Sequence, residues 1–286
     1  MNLLLDFDYC LTERIIRKNS ASFYAAFSQI KDKHRRRGIF AIYAFCRHVD
    51  DLIDEKKDLM QLMAYKSKLD DFVKGYRVGG FRWTTLKDTA SRFYPENYDY
   101  QPYYEMIEGQ ELDAHPVRMQ TVDQLLHYCD LVASSVGKML LPILAPKASL
   151  DLTPFAIALG RAFQLTNILR DVGEDFRIDR VYLPTSLMEK HQYTLKDLNQ
   201  GIINPSFVSM WEELATLAER YYQQALPMIG HFPKDTQLPL KSALLVYQGI
   251  LGVIRSHQYT VMTTKHFLKD KEKVAIIATL KKEFRT

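Results

Sequence analysis

The sequence predicts an all-α protein of one domain, residues 1–286, and three observations carry that expectation. Apolar residues recur at helical spacing along nearly the whole chain, and no run alternates as a half-buried strand would. Glycine and proline are sparse, at 12 and 11, which disfavours sheet-rich and disordered classes alike. Breakers mark the segment boundaries: Gly79-Gly80, Pro95, Pro102, His115-Pro116, Pro146, Pro205 and Pro233. They predict helices near 6–18, 21–30, 33–55, 58–75, 84–94, 100–114, 121–145, 152–176, 206–230, 236–258 and 270–284. No composition shift or flexible linker divides the chain.

Composition narrows the function classes. With 47% hydrophobic residues, 17 Tyr and 15 Phe, the chain can enclose a large apolar core or a cavity. The formal charge of +4 suits anionic small molecules or a membrane surface and is too weak to imply nucleic acid. Cys10, Cys46 and Cys129 have no paired spacing, so neither a disulfide framework nor a zinc site is expected. The start, Met1-Asn2-Leu3-Leu4-Leu5-Asp6, lacks the basic segment and apolar run of a signal peptide. The apolar stretches at 139–145 and 242–254 read as too short or too interrupted to span a bilayer. The expected location is the cytoplasm, with peripheral attachment to a membrane as the other option.

Two acidic clusters carry the chemistry. In Asp50-Asp51-Leu52-Ile53-Asp54, Asp50 and Asp54 share a helix face behind the apolar run 39–45. Two carboxylates ~6 Å apart at an effective dielectric of 20 repel by roughly 3 kcal/mol, so burial of this pair demands a cation. The second cluster lies on the segment 153–176, which is apolar around most of its circumference. Gln164, Asn167, Asp171, Glu174 and Asp175 form one polar stripe along it. A row of acids on a buried helix needs a wet cavity or cations. Facing each other across a bundle, the two clusters would hold Mg²⁺, the hard ion that carboxylates and phosphates share, and so bind a diphosphate. The plainer reading makes both clusters solvated helix faces of an interaction protein. A di-iron bundle would need Glu-x-x-His pairs, and the sequence has none.

The stretch Ala41 to Asp54 (AIYAFCRHVDDLID) resembles the first signature of the squalene/phytoene synthase family, and Gln164 to Asp175 (QLTNILRDVGED) resembles its second. Arg180-Val181-Tyr182-Leu183-Pro184 continues the second signature. Weaker echoes lie at Ser20-Ala21-Ser22-Phe23, Ile107-Glu108-Gly109 and Tyr128 to Gly137. The likeness spans about 18–265. It implies an isoprenoid-synthase-type helical bundle around a central cavity, acting on prenyl diphosphates. On the matching positions it implies that Asp50, Asp54, Asp171 and Asp175, with Asn167 beside them, bind Mg²⁺, for which Mn²⁺ is an alternative. Gln164 would lie one turn before the metals. Arg47, Arg170 and Arg180 would contact phosphate oxygens, a task their fork geometry suits. Tyr43, Tyr182 and Tyr247 would face diphosphate or the cationic intermediate, and Ser20, Ser22 and Phe23 would line the substrate site. The chain departs from the family pattern at Asp130, where an aromatic is usual, at Ser134-Ser135, and at Thr264-Lys265, where an Arg pair is usual.

The reaction that the resemblance implies is head-to-head condensation of two prenyl diphosphates through a cyclopropylcarbinyl diphosphate. A carotenoid-pathway product, dehydrosqualene or phytoene, is expected and no NADPH, because the sequence ends without the apolar anchor typical of eukaryotic squalene synthases. Phe23, Phe27 and Phe40 are expected to form a floor that stops a C15 tail. The basic run Lys31 to Arg37 reads either as a solvated helix start or as an attraction for diphosphate or anionic lipid.

Overall fold

The computed structural model describes residues 3–146 and 148–283, and Phe284, the expected end of the last helix, lies outside them. Its helices follow the predicted periods: α1 (Leu3–Asn19), α2 (Ala21–Phe27), α3 (Lys33–Asp54), α4 (Leu59–Val73), α5 (Phe81–Phe93) and α6 (Gln101–Asp113) form the first half. The second half holds α7 (Val122–Cys129), α8 (Ser135–Leu144), α9 (Thr153–Arg177), α10 (Thr185–Lys190), α11 (Leu195–Asn199), α12 (Pro205–Met228), α13 (Lys234–Ser256) and α14 (Asp270–Glu283). Polar side chains start several of them. Asp32 accepts from the backbone N–H groups of His34 and Arg35 to cap α3, Asp58 caps α4, and Asn204 caps α12.

The long helix α9 sits among α8, α12 and α13. The buried Trp211 of α12 fixes it by donating its indole N–H to the Leu169 carbonyl at 3.0 Å. Gly173 lets the chain after α13 cross α9 closely: a Cβ there would fall 2.2 Å from the Met262 carbonyl oxygen. The acidic half of α9 is thereby pinned beneath residues 260–268.

Three features depart from the expectation. The helix predicted over 121–145 is broken between α7 and α8 by a π-turn, Asp130–Ser134. The wide turn brings Asp130 to Arg161 at 2.6 and 2.8 Å and lays the Ser134 backbone on Gly160, where a Cβ would come within 2.5 Å. The atypical Asp130 thus serves an ion pair between helices. Secondly, α10, α11 and a two-residue parallel pairing of β1 (Val117–Arg118) with β2 (Arg180–Val181) were not predicted. A strand of two residues is too short to show a period of two. It nevertheless fixes Arg180 and Tyr182 beside the end of α6. Thirdly, α13 is long and apolar enough to cross a membrane by length and composition, contrary to the reading of 242–254 as too interrupted. Half of that window is buried against the bundle.

The basic run is largely absorbed by the fold. Arg35 turns inward, 7% exposed, and donates to the carbonyls of Ile143 (2.8 Å) and Leu144 (2.7 Å) and to both oxygens of Asp235 (2.9 and 2.8 Å). Arg37 pairs with Asp6 at 2.6 Å, tying the first turns of α1 and α3 together. Arg35→Ala leaves two carbonyls and a carboxylate without this donor. It should lower unfolding free energy by about 3–5 kcal/mol in urea denaturation; a loss under ~1 kcal/mol would show that Arg35 does not brace this end of the bundle.

Candidate functional site

One cavity of about 480 Å³ runs along α3 and α9. From α3 it is lined by Ile39, Ile42, Tyr43, Cys46, Arg47, Asp50 and Asp54, a single stripe at helical spacing. From α9 the stripe includes Phe155, Leu159, Phe163, Gln164, Asn167, Asp171 and Asp175. Both stripes pass from apolar to acidic toward the C-terminal end of their helix. The helix dipole disfavours anions at such ends, so the arrangement opposes the intrinsic preference of both helices.

Five aspartates among the described lining residues meet at the polar end: Asp50, Asp54, Asp113, Asp171 and Asp175. Burial, then repulsion from Asp54, pushes the Asp50 carboxyl up to about 8. Burial, then repulsion from Asp171, pushes Asp175 up to about 8. Asp113 repels both of these groups, so it stands between the clusters. Its own carboxyl is raised by burial, against the opposing effect of hydrogen bonds from Tyr182 (2.6 Å) and Tyr128 (2.7 Å). Sequence reading missed Asp113 because, with Glu108 and Glu111 as its acidic neighbours, it lacks the paired-aspartate spacing of the two signatures. The signal was present in Met106, Gln110 and Asp113, an i, i+4, i+7 stripe on α6 that turns polar toward its end as the other two do.

Each cavity arginine rests on an acid. Arg170 is bidentate to its neighbour Asp171 at 2.8 and 2.6 Å. Arg180 donates to Asp54 at 2.8 Å and to the Asp113 carbonyl at 2.9 Å. Arg47 pairs with Asp51, which turns away from the cavity, and more loosely with Glu55. From the segment after α13, Lys265 reaches Glu174 at 2.7 Å and Asp171 at 3.4 Å.

The residues suit a hard cation in chemistry but do not yet encircle one. No group of three Asp, Glu, His or Cys is gathered as a metal site among the described residues. Yet Asn167 Oδ1 and Gln110 Oε1 are buried acceptors with no hydrogen-bond partner, and both residues line the acidic end. Carboxylates driven toward protonation, with amide oxygens left unpaired beside them, form an oxygen donor set that suits Mg²⁺ or Mn²⁺. Asp50, Asp54, Asn167, Asp171 and Asp175 would hold the ion, once Asp54 and Asp171 leave their arginines.

Beyond the acids the cavity is aromatic and aliphatic. Tyr247 stacks on Phe23 (5.4 Å) and on Phe163 (4.4 Å), which also meet each other at 6.0 Å, and Phe27 lies 6.1 Å from Phe23. Burial pushes the Tyr43 phenol up to about 12, so it is a hydrogen-bond donor at neutral pH rather than a base. Tyr182 is raised further by burial and by Asp113.

The structure brings Phe23, Phe27, Tyr43, Arg47, Asp50, Asp54, Gln164, Asn167, Arg170, Asp171, Asp175, Arg180, Tyr182 and Tyr247 to this cavity. Three expected residues do not line it. Phe40 is buried against Tyr24 (5.8 Å), off the cavity face, because the lining stripe passes through Ile39 and Tyr43 on either side of it. Ser20 precedes α2 as its cap position, and Ser22 faces a separate cleft between α2, α13 and α14. Ile16 and Ile39 stand in the lining where the third ring was expected.

The model of the squalene/phytoene synthase family matches residues 16–274. The chain is similar to the 4,4'-diapophytoene synthase of Staphylococcus haemolyticus, at 32% identity over 98% of each chain. It is also similar to the phytoene synthase of Thermus thermophilus, at 32% identity over 92% of this chain and 89% of that one. The solved structure of a dehydrosqualene synthase in complex with ligand superposes with a TM-score of 0.91 and 34% identity, covering 98% of each chain.

A carboxyl raised to about 8 in the folded state, against 3.8 when unperturbed, binds its proton more tightly folded than unfolded. It therefore weakens the metal-free fold progressively from about pH 4 to pH 8, with the full cost above pH 8. Asp50→Asn removes that term. Without divalent ions, the variant's melting temperature should fall less than the wild type's between pH 5 and 8 and exceed it at pH 8. Parallel melting curves across that range would show that Asp50 carries no such strain.

Proposed function

Because the chain belongs to the squalene/phytoene synthase family, we propose that it joins two farnesyl diphosphates head to head to give dehydrosqualene, a C30 carotenoid precursor. The observation that carries this reading is the polarity of the cavity along α3 and α9: a cluster of acids and arginines at one end, and an apolar, aromatic body at the other.

In this reading Arg47, Arg170 and Arg180 leave their carboxylates and donate to the diphosphate oxygens, with Tyr182 held close by Asp113. Mg²⁺ held by the aspartates would neutralise the diphosphate and make it a better leaving group. When the C1–O bond breaks, an allylic cation forms beside the cluster of Phe23, Tyr247 and Phe163, whose π faces stabilise positive charge. The C2–C3 double bond of the second substrate attacks it, and loss of a proton closes the cyclopropane. The second diphosphate then departs, the skeleton rearranges, and a second proton is lost to give the triene centre. The apolar lining keeps water from trapping either cation as an alcohol. No hydride is needed, so NADPH has no part.

The relative from Thermus thermophilus favours a second reading, in which geranylgeranyl diphosphate gives phytoene. The two readings differ in where the tail stops. Phe27, Ile16 and Ile39 belong to the apolar part of the lining, and we assign the stop for a C15 tail to them.

Asp50→Ala or Asp171→Ala should lower turnover by about 10²-fold or more, with the fold retained by circular dichroism. Near-wild-type turnover in either would remove the acids from the chemistry. Product analysis with C15 and C20 diphosphates, with and without NADPH, should give dehydrosqualene from C15 at a rate unaffected by NADPH. Phe27→Ala should raise C20 use, at about 3–5 kcal/mol in stability if the cavity does not collapse. Faster C20 than C15 turnover by the unmutated protein would select the phytoene reading, and squalene formed with NADPH oxidation would select the reductive branch.

A further inference from the structure

We propose that the outer face of α1 docks the protein on an anionic lipid bilayer, at the end of the bundle remote from the acids. Leu3, Leu4 and Phe7 are 74%, 78% and 59% exposed and lie together in the first two turns of α1. One apolar side chain left in water needs no explanation, but three adjoining ones form a patch. The same outward stripe continues through Cys10 to the exposed Arg14 and Lys18, so the helix presents apolar turns followed by basic ones.

Basic side chains outnumber acidic ones on α1 and the start of α3. Arg37 and Lys33 reach Asp6, which places the start of α3 beside these turns. Asp6 is engaged by Arg37, Asp32 caps α3, Asp88 pairs with Arg92, Asp235 pairs with Arg35 and Glu13 accepts from Tyr24, whereas Asp8, half-exposed beside Phe7, offsets one of the basic groups. Lys31, Lys33 and His34 are exposed on this edge. Apolar side chains flanked by lysines are the pattern that inserts at the boundary between lipid headgroups and acyl chains.

Position favours a bilayer over a second copy of the chain. The lining of α3 runs from Ile39 to Asp54, about 22 Å at 1.5 Å per residue, so the apolar end of the cavity and the basic start of α3 lie on the same side. A product without charge would leave toward lipid at that end. This release role rests on the function proposed above, whereas the docking itself does not.

The test is vesicle co-sedimentation of the full chain on phosphatidylcholine with and without phosphatidylglycerol. Wild type should pellet with the mixed vesicles, less with phosphatidylcholine alone, and less as salt rises. The triple variant Leu3→Gln, Leu4→Gln, Phe7→Gln should lose binding about tenfold or more while keeping its circular dichroism spectrum and its turnover of soluble substrate. Wild type remaining in the supernatant, or the triple variant binding as wild type does, would overturn the proposal. So would sedimentation velocity showing a vesicle-free dimer that the triple variant converts to monomer, which would make the patch a face between copies. If docking holds but no prenyl condensation is found, the function reading fails and the surface stands.

Discussion

The structure depends on carboxylates that cannot all be charged at once. Asp50, Asp54, Asp113, Asp171 and Asp175 meet at the C-terminal ends of three helices, where the helix dipole and their own repulsion both oppose ionisation. The fold answers with two kinds of compensation. Arg170, Arg180 and Lys265 sit on Asp171 and Asp54, and Asp50 and Asp175 hold their protons up to about pH 8. Both are provisional, since an arginine can exchange a carboxylate for a phosphate and a proton can yield to a metal ion. In the proposed function, the cost of assembling the acids is what would make the site receptive to a cation bridged to an anion.

The same stripes that gather the acids also build the apolar body. On α3 a single helical face passes through Ile39, Ile42 and Tyr43 before it reaches Asp50. On α9 the face passes through Phe155, Leu159 and Phe163 before Asn167. In the proposed function, ionising a diphosphate and sheltering the resulting cation thus fall to opposite ends of the same two helices. The pin at Gly173, the Trp211 bond to Leu169 and the short β1–β2 pairing keep those ends in register.

Much of this was legible in the chain because it is periodic. The long helices and both acid clusters announce themselves by i, i+3, i+4 spacing, and each site residue named from the two signatures reaches the cavity. What was not legible depends on neighbours distant in sequence. Phe40 looks equivalent to Ile39 in composition, yet a rotation of 100° along the helix sends it to Tyr24. The π-turn at Asp130 exists because Arg161 and Gly160 lie opposite, and nothing within 121–145 encodes them. Asp113 belongs to neither signature and becomes the link between the clusters only when α6 packs beside α3.

The central claim is that the two clusters form one site that requires cation and diphosphate together. Thermal melts of the full chain with Mg²⁺ alone, inorganic pyrophosphate alone, and both at matched concentration test it directly. A ligand set that binds only the folded state raises stability by RT ln(1 + [L]/Kd), about 2.7 kcal/mol at a hundredfold excess over Kd. The account predicts a small shift with either alone and a shift larger than their sum with both, abolished in Asp50→Asn and in Asp171→Asn alike. Additive shifts, or loss of the joint effect in only one of the two variants, would contradict it.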